Sequence, residues 1–295
     1  MSARVLVEIE QMSPAPLRPD HRHIDYFQHV VGPVDSWHRL APSSEQAFLW
    51  LGSKDGRPVG VVKLYRSTAS AAREIHAYDG WAPSLRRWTV PFYGVPPDDP
   101  GALVLGHAPG AVGTASASAD VFASAGRFAA ALHGVARFDE DPVPLEAALA
   151  RRLQGAFQRA GHRFGDALRL QVEALVLGNS LGLRVPCHRD FHPRNWQLDG
   201  DRVTILDFGQ ARPDWWLVDL VKLVFWWQPV QAKAFFEGYG RGLTPEEDRS
   251  LLGLVALHGV SSLNWAERHG LTRPRQEGER ALAWFRAELG RRSLG

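Results

Sequence analysis

Residues 187–219 constrain the fold of this chain more than any other stretch. His188 and Asp190 stand two residues apart, Asn195 follows five residues after that aspartate, and an apolar strand then ends at Asp207 before a Phe-Gly pair. Short apolar strands that each lead into an acidic turn place their carboxylates at the ends of neighbouring strands. The stretch therefore predicts two adjacent loops that converge on one cleft.

This spacing suits phosphoryl transfer, in which the protein aligns two oxygens and neutralises the charge on the transferred group. Asp190 is the predicted catalytic base for the attacking hydroxyl. Asn195 and Asp207 offer the oxygen ligands that Mg²⁺ prefers, so we predict a metal site there. Each aspartate alone is equally well explained as a turn former, and His188 as a packed core residue. The complete set at this spacing favours the catalytic interpretation.

A family resemblance extends this interpretation. Residues 190–195, which read Asp-Phe-His-Pro-Arg-Asn, resemble the Asp-Leu-His-Pro-x-Asn run of the aminoglycoside phosphotransferase and choline kinase-like family. Residues 211–220 resemble that family's segment from the metal-binding aspartate to a helix that opens with Asp-Leu. The resemblance implies structural roles for His188 and Asp219. It also implies an α+β, bilobal, protein-kinase-like fold.

The same resemblance divides the chain into two lobes. Residues 1–107 are predicted to form a small nucleotide-binding lobe, an antiparallel sheet with one helix. Residues 108–295 are predicted to form a larger, mainly helical lobe for catalysis and substrate binding. Because 295 residues exceed the usual size of one domain, two hydrophobic cores are expected.

Lys63 is the predicted phosphate-binding residue of the small lobe. It lies in the second of two apolar strands, 46–51 and 59–65, which an Asp-Gly hairpin signal separates. A buried ammonium is unfavourable unless it meets an anion. We predict that it binds the nucleotide phosphates and that Glu74, in a helix over 68–81, holds it as in the Lys–Glu pair of kinases. An exposed edge lysine, and a local pair of Glu74 with Arg73 or His76, are the alternatives.

Two further segments complete the predicted nucleotide site. Ser43 and Ser44 precede the 46–51 strand and offer hydroxyls and backbone amides to phosphate, although no glycine-rich motif is present. The segment containing Leu105, Gly106 and Ala108 resembles the family's hinge, where main-chain groups would bind the adenine edge. A buried strand followed by a turn explains that segment equally well.

Periodicity and turn signals predict the remaining elements. Strands are expected at 1–12, 24–31, 87–95, 102–106, 184–187 and 203–206. Helices are expected at 119–138, 144–178, 217–227, 230–239, 245–269 and 275–289, with 144–178 long enough for a kinked helix or two.

The acceptor is expected to bind beside the later helices, where aromatic residues cluster. His192, Arg194, Trp227, Trp265 and Glu267 are the predicted acceptor-binding residues, and aromatic walls would suit a planar or sugar-bearing molecule. Packing in the core is the alternative for most of the aromatics. From residue 151 onward the chain has 21 Lys and Arg against 16 Asp and Glu. This excess disfavours a polycationic aminoglycoside acceptor.

Composition bears on the cellular location. The lone cysteine, Cys187, fits a reducing cytoplasm, and the two glutamates within the first ten residues do not fit a signal peptide. The apolar segment 217–227 is too short to span a bilayer. No basic run interleaved with aromatics indicates nucleic-acid binding. We expect a cytoplasmic monomer or homodimer with neither a membrane nor a nucleic-acid partner.

The sequence thus predicts an O-phosphotransferase that uses ATP, or alternatively GTP, with Mg²⁺, and acts on a hydroxyl of a small molecule. The family resemblance and an Arg- and Ala-rich composition favour an antibiotic or similar secondary metabolite, in resistance or self-protection. A metabolic kinase for choline, a sugar, homoserine or a glycated amine is the alternative. A non-catalytic binding module is the competing class, although Lys63, Asp190, Asn195 and Asp207 are all present.

Overall fold

A computed structural model describes residues 17–40, 47–136, 138, 143–178 and 181–293. The small lobe is built on a five-stranded antiparallel sheet in the order β1-β2-β3-β5-β4. Its strands are β1 (Ser36–Arg39), β2 (Ala47–Lys54), β3 (Arg57–Tyr65), β4 (Phe92–Gly94) and β5 (Ala102–Gly106). Asp55 and Gly56 join β2 to β3 with φ of 50° and 70°, the left-handed pair that a tight hairpin requires.

Two helices lie with this sheet, one more than predicted: α1 (His21–Val30) and α2 (Thr68–Gly80). The strand expected at 24–31 is therefore wrong. Asp20 begins α1 by accepting a hydrogen bond from the Arg22 backbone N–H, and His23 and Phe27 are both buried one helical turn apart. The β-branched and aromatic residues of α1 concealed this helical spacing.

The predicted strand at 87–95 is only partly correct, because β4 contains three residues. The strand predicted at 1–12 and the two phosphate-loop serines, Ser43 and Ser44, lie outside the described residues. Their predicted structure and contacts stay predictions.

The large lobe is mainly helical, which confirms the predicted α+β bilobal fold class. Its helices are α3 (Ala119–Gly134), α4 (Leu145–Ala160), α5 (Asp166–Leu177), α6 (Pro229–Tyr239), α7 (Pro245–His269) and α8 (Thr272–Ser293). Short strands form two small sheets, β6 (Ala111–Val112) with β8 (Trp196–Asp199) and β9 (Arg202–Ile205), and β7 (Val185–Cys187) with β10 (Arg212–Asp214). No helix of the described residues has both the length and the apolarity needed to cross a bilayer.

The segment predicted as a helix at 217–227 is instead a 3₁₀ helix, Trp216–Asp219, followed by turns. Leu217, Leu220 and Leu223 are each fully buried. Every residue from 214 to 221 is buried, so the run has no one-sided stripe that would favour α-helical over 3₁₀ geometry. The bulky apolar composition alone did not distinguish the two.

The hydrophobic core differs from the expected one core per lobe. One continuous cluster of buried side chains runs from Tyr65 and Leu103 of the small lobe through Phe208 to Phe285 of α8. A smaller cluster around Phe27 lies on the outer side of the sheet. The two lobes therefore share one core, and Phe208 is part of it. Phe208 stands between the predicted metal ligand Asp207 and Gly209.

Helices α7 and α8 pack closely where two glycines face each other. A Cβ on Gly278 would lie 2.8 Å from the carbonyl oxygen of Gly259, and a Cβ on Gly259 would lie 3.1 Å from that of Gly278. Any larger residue at either position would push the helices apart. This crossing brings Glu277 of α8 beside His258 of α7, with 2.9 Å between Oε1 and Nε2.

Candidate active site

Lys63 of β3 lies at the junction of the two lobes. Its Nζ is 2.7 Å from Oε2 of Glu74 and 2.9 Å from Oδ1 of Asp207, and the residue is only 5% exposed. Burial opposes the charged form, but the two carboxylates raise the pKa of Lys63 above its ordinary value. Lys63 therefore carries its charge at neutral pH, and both the exposed-lysine and the local-pair alternatives are wrong.

Tyr65, which the sequence analysis missed, completes this ion-pair group. Its hydroxyl lies 2.5 Å from Oε2 of Glu74 and 3.1 Å from Oδ1 of Asp207. Burial, followed by the two carboxylates, raises the pKa of Tyr65 well above its ordinary value, so the phenol stays a neutral donor. A Cβ on Gly209 would lie 2.3 Å from the Tyr65 hydroxyl oxygen, so the close approach of the loop requires glycine there.

His188 joins the two loops that carry the predicted base and metal ligand. The ring is fully buried, and its Nε2 lies 3.0 Å from the carbonyl oxygen of Leu206 while Nδ1 accepts the Asp190 backbone N–H at 3.3 Å. Because a carbonyl oxygen only accepts, Nε2 carries the ring proton. A backbone bond from the Leu206 N–H to the Asn195 carbonyl, 2.9 Å long, fixes the same junction. These contacts support the structural role predicted for His188.

Asp219 fixes the backbone of the loop that precedes Asp190. Its carboxylate accepts the backbone N–H groups of His188 at 2.9 Å and Arg189 at 2.5 Å, and lies 3.1 Å from Nε2 of His133. Arg189 has a φ of 63°, which a non-glycine residue adopts only at a cost in energy. The buried carboxylate stabilises this turn, which supports the predicted structural role of Asp219.

Replacing Asp219 by alanine is expected to lower the free energy of unfolding by about 3–5 kcal/mol, because two buried backbone N–H groups and His133 lose their acceptor. Urea denaturation followed by circular dichroism measures this loss. Asp25, an exposed residue of α1, is the matched control, and its alanine variant is expected to stay within about 0.5 kcal/mol of the wild type. A loss below about 1 kcal/mol in Asp219→Ala would contradict the assigned role.

Asp190, the predicted base, is held by three side chains. Its Oδ1 lies 2.5 Å from Nζ of Lys222 and 3.3 Å from Nε2 of His192, and its Oδ2 accepts from Nδ2 of Asn195 at 3.0 Å. Burial raises the pKa of Asp190, but Lys222 and then His192 outweigh it and bring that pKa well below its usual range. Asp190 is therefore ionised and able to accept a proton throughout the physiological pH range.

Lys222 also bonds to Glu277 of α8, with 2.9 Å between Nζ and Oε1. Burial raises the pKa of Glu277, but Lys222 and His258 together hold it far below its usual range. Burial likewise opposes the charge of Lys222, and the Asp190 and Glu277 carboxylates raise its pKa above the ordinary value. A buried ion-pair chain thus runs from Asp190 through Lys222 to Glu277.

The pH dependence of activity is expected to change when Lys222 is replaced by methionine. A base works only when deprotonated, so activity falls as pH drops through its pKa. Without the ammonium, burial raises the pKa of Asp190, and the acid limb of the kcat/KM profile is expected to move to higher pH. Lys233→Met, at an exposed lysine, serves as the control. An unchanged acid limb would show that Lys222 does not set the charge of Asp190.

The residues around Asp207 fit a magnesium ion. Asn195 uses its amide nitrogen on Asp190, which leaves its side-chain oxygen as a hard donor. Burial raises the pKa of Asp207, but Lys63 lowers it below the ordinary value, and the nearby Asp190 carboxylate acts against this lowering. Because the Asn195 amide bonds to Asp190 and the Asn195 backbone to Leu206, the residue before Asp207, carboxylate and amide oxygens of the kind that Mg²⁺ prefers lie on two joined loops.

The predicted adenine hinge follows β5. Leu105 and Gly106 are buried at the end of this strand, and Ala108 is half-buried just after it. The Gly106 N–H already donates to the carbonyl of Pro91 at 2.8 Å. Gly106 can therefore offer adenine only its carbonyl oxygen, which narrows the predicted main-chain contacts.

The predicted acceptor residues separate into two groups. His192 and Arg194 lie beside Asp190, and both contact the indole of Trp226. Trp227 instead packs against Phe235 and Phe236 in the core.

The two predicted acceptor residues of α7 make contacts elsewhere. Trp265 packs on His269 with ring centres 3.9 Å apart, and Glu267 pairs with Arg163 at 2.8 Å. Glu267 lies nine residues from His258 along α7, or about 14 Å at 1.5 Å per residue. The structure does not bring Trp265 or Glu267 to the carboxylates of Asp190 and Asp207. Their assignment as acceptor-binding residues stays a prediction without geometric support.

Sequence reasoning missed Tyr65, Lys222 and Glu277. A signal existed for Lys222, since it is one of only four lysines and interrupts an apolar run, as Lys63 does. The argument that a buried ammonium needs an anion applies equally to both. No local pattern identified Glu277, which reaches the site only through the crossing of α7 and α8.

The fold and this arrangement of charges define a phosphotransferase of the protein-kinase-like type. A sequence model described as the phosphotransferase enzyme family matches residues 48–254, so the chain belongs to that family. The family resemblance is confirmed, and the protein is an enzyme that transfers phosphate to an alcohol group. Comparison with curated protein sequences gives no significant match.

Solved structures with the same fold include three antibiotic phosphotransferases. The macrolide 2'-phosphotransferase MphH from Brachybacterium faecium is 18% identical with a TM-score of 0.64, covering 88% of this chain and 96% of that one. APH(2")-IIia in complex with GDP and kanamycin is 14% identical with a TM-score of 0.66, covering 91% and 99%. Spectinomycin phosphotransferase APH(9)-Ia with ADP and spectinomycin is 13% identical with a TM-score of 0.60, covering 90% and 92%.

Proposed function

We propose that this protein is an O-phosphotransferase that moves the γ-phosphoryl group of ATP, with Mg²⁺, to a hydroxyl of an antibiotic or a similar secondary metabolite. One observation carries the proposal: three separate parts of the chain, the loop of Asp190 and Asn195, the end of the strand before Asp207, and β3 with Lys63, meet in one place. A turn-forming or packing role for each residue requires no such meeting.

The proposed roles follow from the contacts. Lys63, held by Glu74, binds the nucleotide phosphates, and Asp207 with Asn195 binds Mg²⁺, which neutralises charge on those phosphates. Asp190 accepts the proton of the attacking hydroxyl. GTP is the alternative donor, because the fold neighbours include complexes with GDP as well as ADP.

The antibiotic acceptor is supported by family membership and by neighbours whose acceptors are macrolides, kanamycin and spectinomycin. A metabolic alcohol such as a sugar or homoserine is the second candidate, favoured by the guanidinium of Arg194 close to Asp190, which suits a polycation poorly. A cytoplasmic location and a monomeric or homodimeric state stay predictions. A non-catalytic module would bind ligands without transferring phosphate. The presence of every predicted catalytic group argues against this alternative.

A phosphoryl-transfer screen tests the proposal. The purified protein is incubated with Mg²⁺ and ATP or GTP against macrolides, aminoglycosides, other antibiotic classes, choline, sugars and homoserine, and mass spectrometry detects the gain of one phosphate. Phosphorylation of an antibiotic supports the first candidate. Phosphorylation of a sugar or homoserine alone reverses the order, and absence of Mg²⁺–nucleotide binding refutes both.

A further inference from the structure

A cavity of about 310 Å³ lies in the large lobe between α4 and β10. Four of the residues that line it are arginines: Arg151, Arg152, Arg184 and Arg212. Asp214 is the one acidic residue among the described residues of the lining, and the others are apolar. A cavity of this size holds a small molecule, and a lining of this charge favours an anion.

Asp214 does not neutralise the lining, because its carboxylate is already shared. Its Oδ2 lies 2.8 Å from Nη1 of Arg152 and 3.0 Å from Nε of Arg189. Its Oδ1 accepts the backbone N–H of Trp215 at 2.8 Å. One buried carboxylate therefore serves two permanently charged guanidinium groups and a backbone donor.

Arg212 brings a third guanidinium to this group and makes no hydrogen bond or ion pair with any described residue. Burial lowers the pKa of Arg212, and repulsion from Arg152 and Arg73 acts in the same direction, while Asp214 opposes it. Burial also lowers the pKa of Arg189 to about 10, with Arg152 and Arg212 acting in the same direction against Asp214. An anion that binds among these groups relieves their mutual repulsion.

We propose that this cavity is a second ligand site, which binds the phosphate group of a small organic phosphate. The guanidinium groups come from α4 and from β10, so they reach different oxygens of one tetrahedral group. A carboxylate offers two oxygens and one charge, whereas a phosphate monoester offers three terminal oxygens and about two charges. Leu145 and Pro213 of the lining provide apolar contact for the carbon skeleton.

Asp214 connects the cavity to the loop that carries the predicted base. Arg189 and Asp190 are consecutive, but Arg189 pairs with Asp214 whereas Asp190 pairs with Lys222. Lys63, the predicted phosphate-binding residue of the nucleotide site, does not line the cavity. The second site is therefore distinct from the nucleotide site, although one shared carboxylate joins it to the residue before the base.

Binding to the nucleotide-loaded protein tests this inference. The full chain is saturated with Mg²⁺ and AMP-PNP, and calorimetry then compares phenyl phosphate with benzoate and with uncharged phenol. We expect phenyl phosphate to bind at least about tenfold more tightly than benzoate or phenol. The measurement needs neither the acceptor nor turnover, so its result is independent of the proposed function.

Replacing Arg212 by glutamine locates the binding site. Arg212→Gln is expected to weaken phenyl phosphate binding at least about tenfold, because it removes a charge-assisted hydrogen bond. The variant breaks no contact with a described residue, so its circular dichroism spectrum is expected to match the wild type. Arg202→Gln is the matched control, because Arg202 is an exposed arginine that begins β9 as Arg212 begins β10. Its affinity is expected to stay within about twofold of the wild type.

The chain's own carboxylates are the competing anion. Asp139, Glu140 and Asp141 precede Val143 in the sequence and lie outside the described residues. Phenyl phosphate binding that appears only when Asp139→Asn, Glu140→Gln and Asp141→Asn are combined would assign the cavity to these residues and overturn the proposal. Equal affinity for phenyl phosphate and benzoate, no binding of phenyl phosphate to any variant, or binding that Arg212→Gln leaves unchanged would overturn it as well.

Discussion

Replacing Asp190 by alanine is expected to lower kcat by about 10²- to 10⁴-fold, the usual contribution of a positioned base. Affinity for Mg²⁺–nucleotide is expected to stay within about threefold, because Lys63, Asp207 and Glu74 keep their mutual contacts. Lys222 also keeps Glu277 as a partner, so the variant does not leave a lone buried ammonium. Steady-state kinetics with the acceptor found in the screen, and calorimetry with AMP-PNP, measure the two quantities.

The exposed Asp25 again provides the matched control for Asp190. Its alanine variant is expected to keep wild-type kcat and nucleotide affinity. If Asp190→Ala retained more than about a tenth of the wild-type kcat, Asp190 would not be the base. If nucleotide affinity fell in parallel with kcat, the residue would serve the nucleotide site instead.

Replacing Asp207 by asparagine is expected to weaken Mg²⁺–nucleotide binding by about 2–3 kcal/mol, which corresponds to roughly 30- to 150-fold in Kd. Asparagine is chosen because Asp207 has a φ of 68°, a conformation that asparagine tolerates and alanine does not. The substitution thus removes the charge without straining the loop. Lys63 keeps its bond to Glu74, which preserves the local structure.

Metal dependence distinguishes this role from simple packing. Binding of AMP-PNP measured with and without Mg²⁺ is expected to differ strongly in the wild type and only slightly in Asp207→Asn. Asp199→Asn, at the exposed end of β8, is expected to behave as the wild type. An equal gain in affinity from Mg²⁺ in the wild type and in Asp207→Asn would exclude Asp207 as the metal ligand.

Sequence alone predicted the elements whose positions depend on local spacing. His188, Asp190 and Asn195 belong to one short loop, and Asp207 follows the next strand, so a fixed number of residues sets their separation. The hairpin that carries Lys63 is likewise defined by its Asp-Gly turn. Roles for these residues could be assigned because phosphoryl transfer needs these groups in that order along the chain.

The errors arose where composition and geometry disagree. Residues 24–31 are rich in strand-forming side chains, yet the cap at Asp20 and the one-turn spacing of His23 and Phe27 produce α1. Residues 217–227 are apolar enough for an α-helix, but the structure forms a 3₁₀ helix at Trp216–Asp219 followed by turns. Neither outcome follows from residue preference alone, because packing decides between the available periods.

The surroundings of Lys222 and Trp226 could not be predicted because their contacts join distant segments. Glu277 meets Lys222 across 55 residues of chain and two helices. Arg280 reaches Trp226 for the same reason. Such pairs depend on how α7 crosses α8, which the one-dimensional pattern does not contain. Trp265 and Glu267 were predicted from the helix that carries them, because the sequence does not show which way that helix faces. In the structure they contact His269 and Arg163.

The glycine contact between α7 and α8 has an evolutionary consequence. Helix α8 touches α7 backbone to backbone at Gly259 and Gly278, whereas the loops of Asp190 and Asp207 are held by His188 and Asp219. Substitutions along the exposed edge of α8 therefore leave those loops undisturbed, whereas evolution can place nothing larger than glycine at the α7–α8 contact without displacing the helix that carries Glu277.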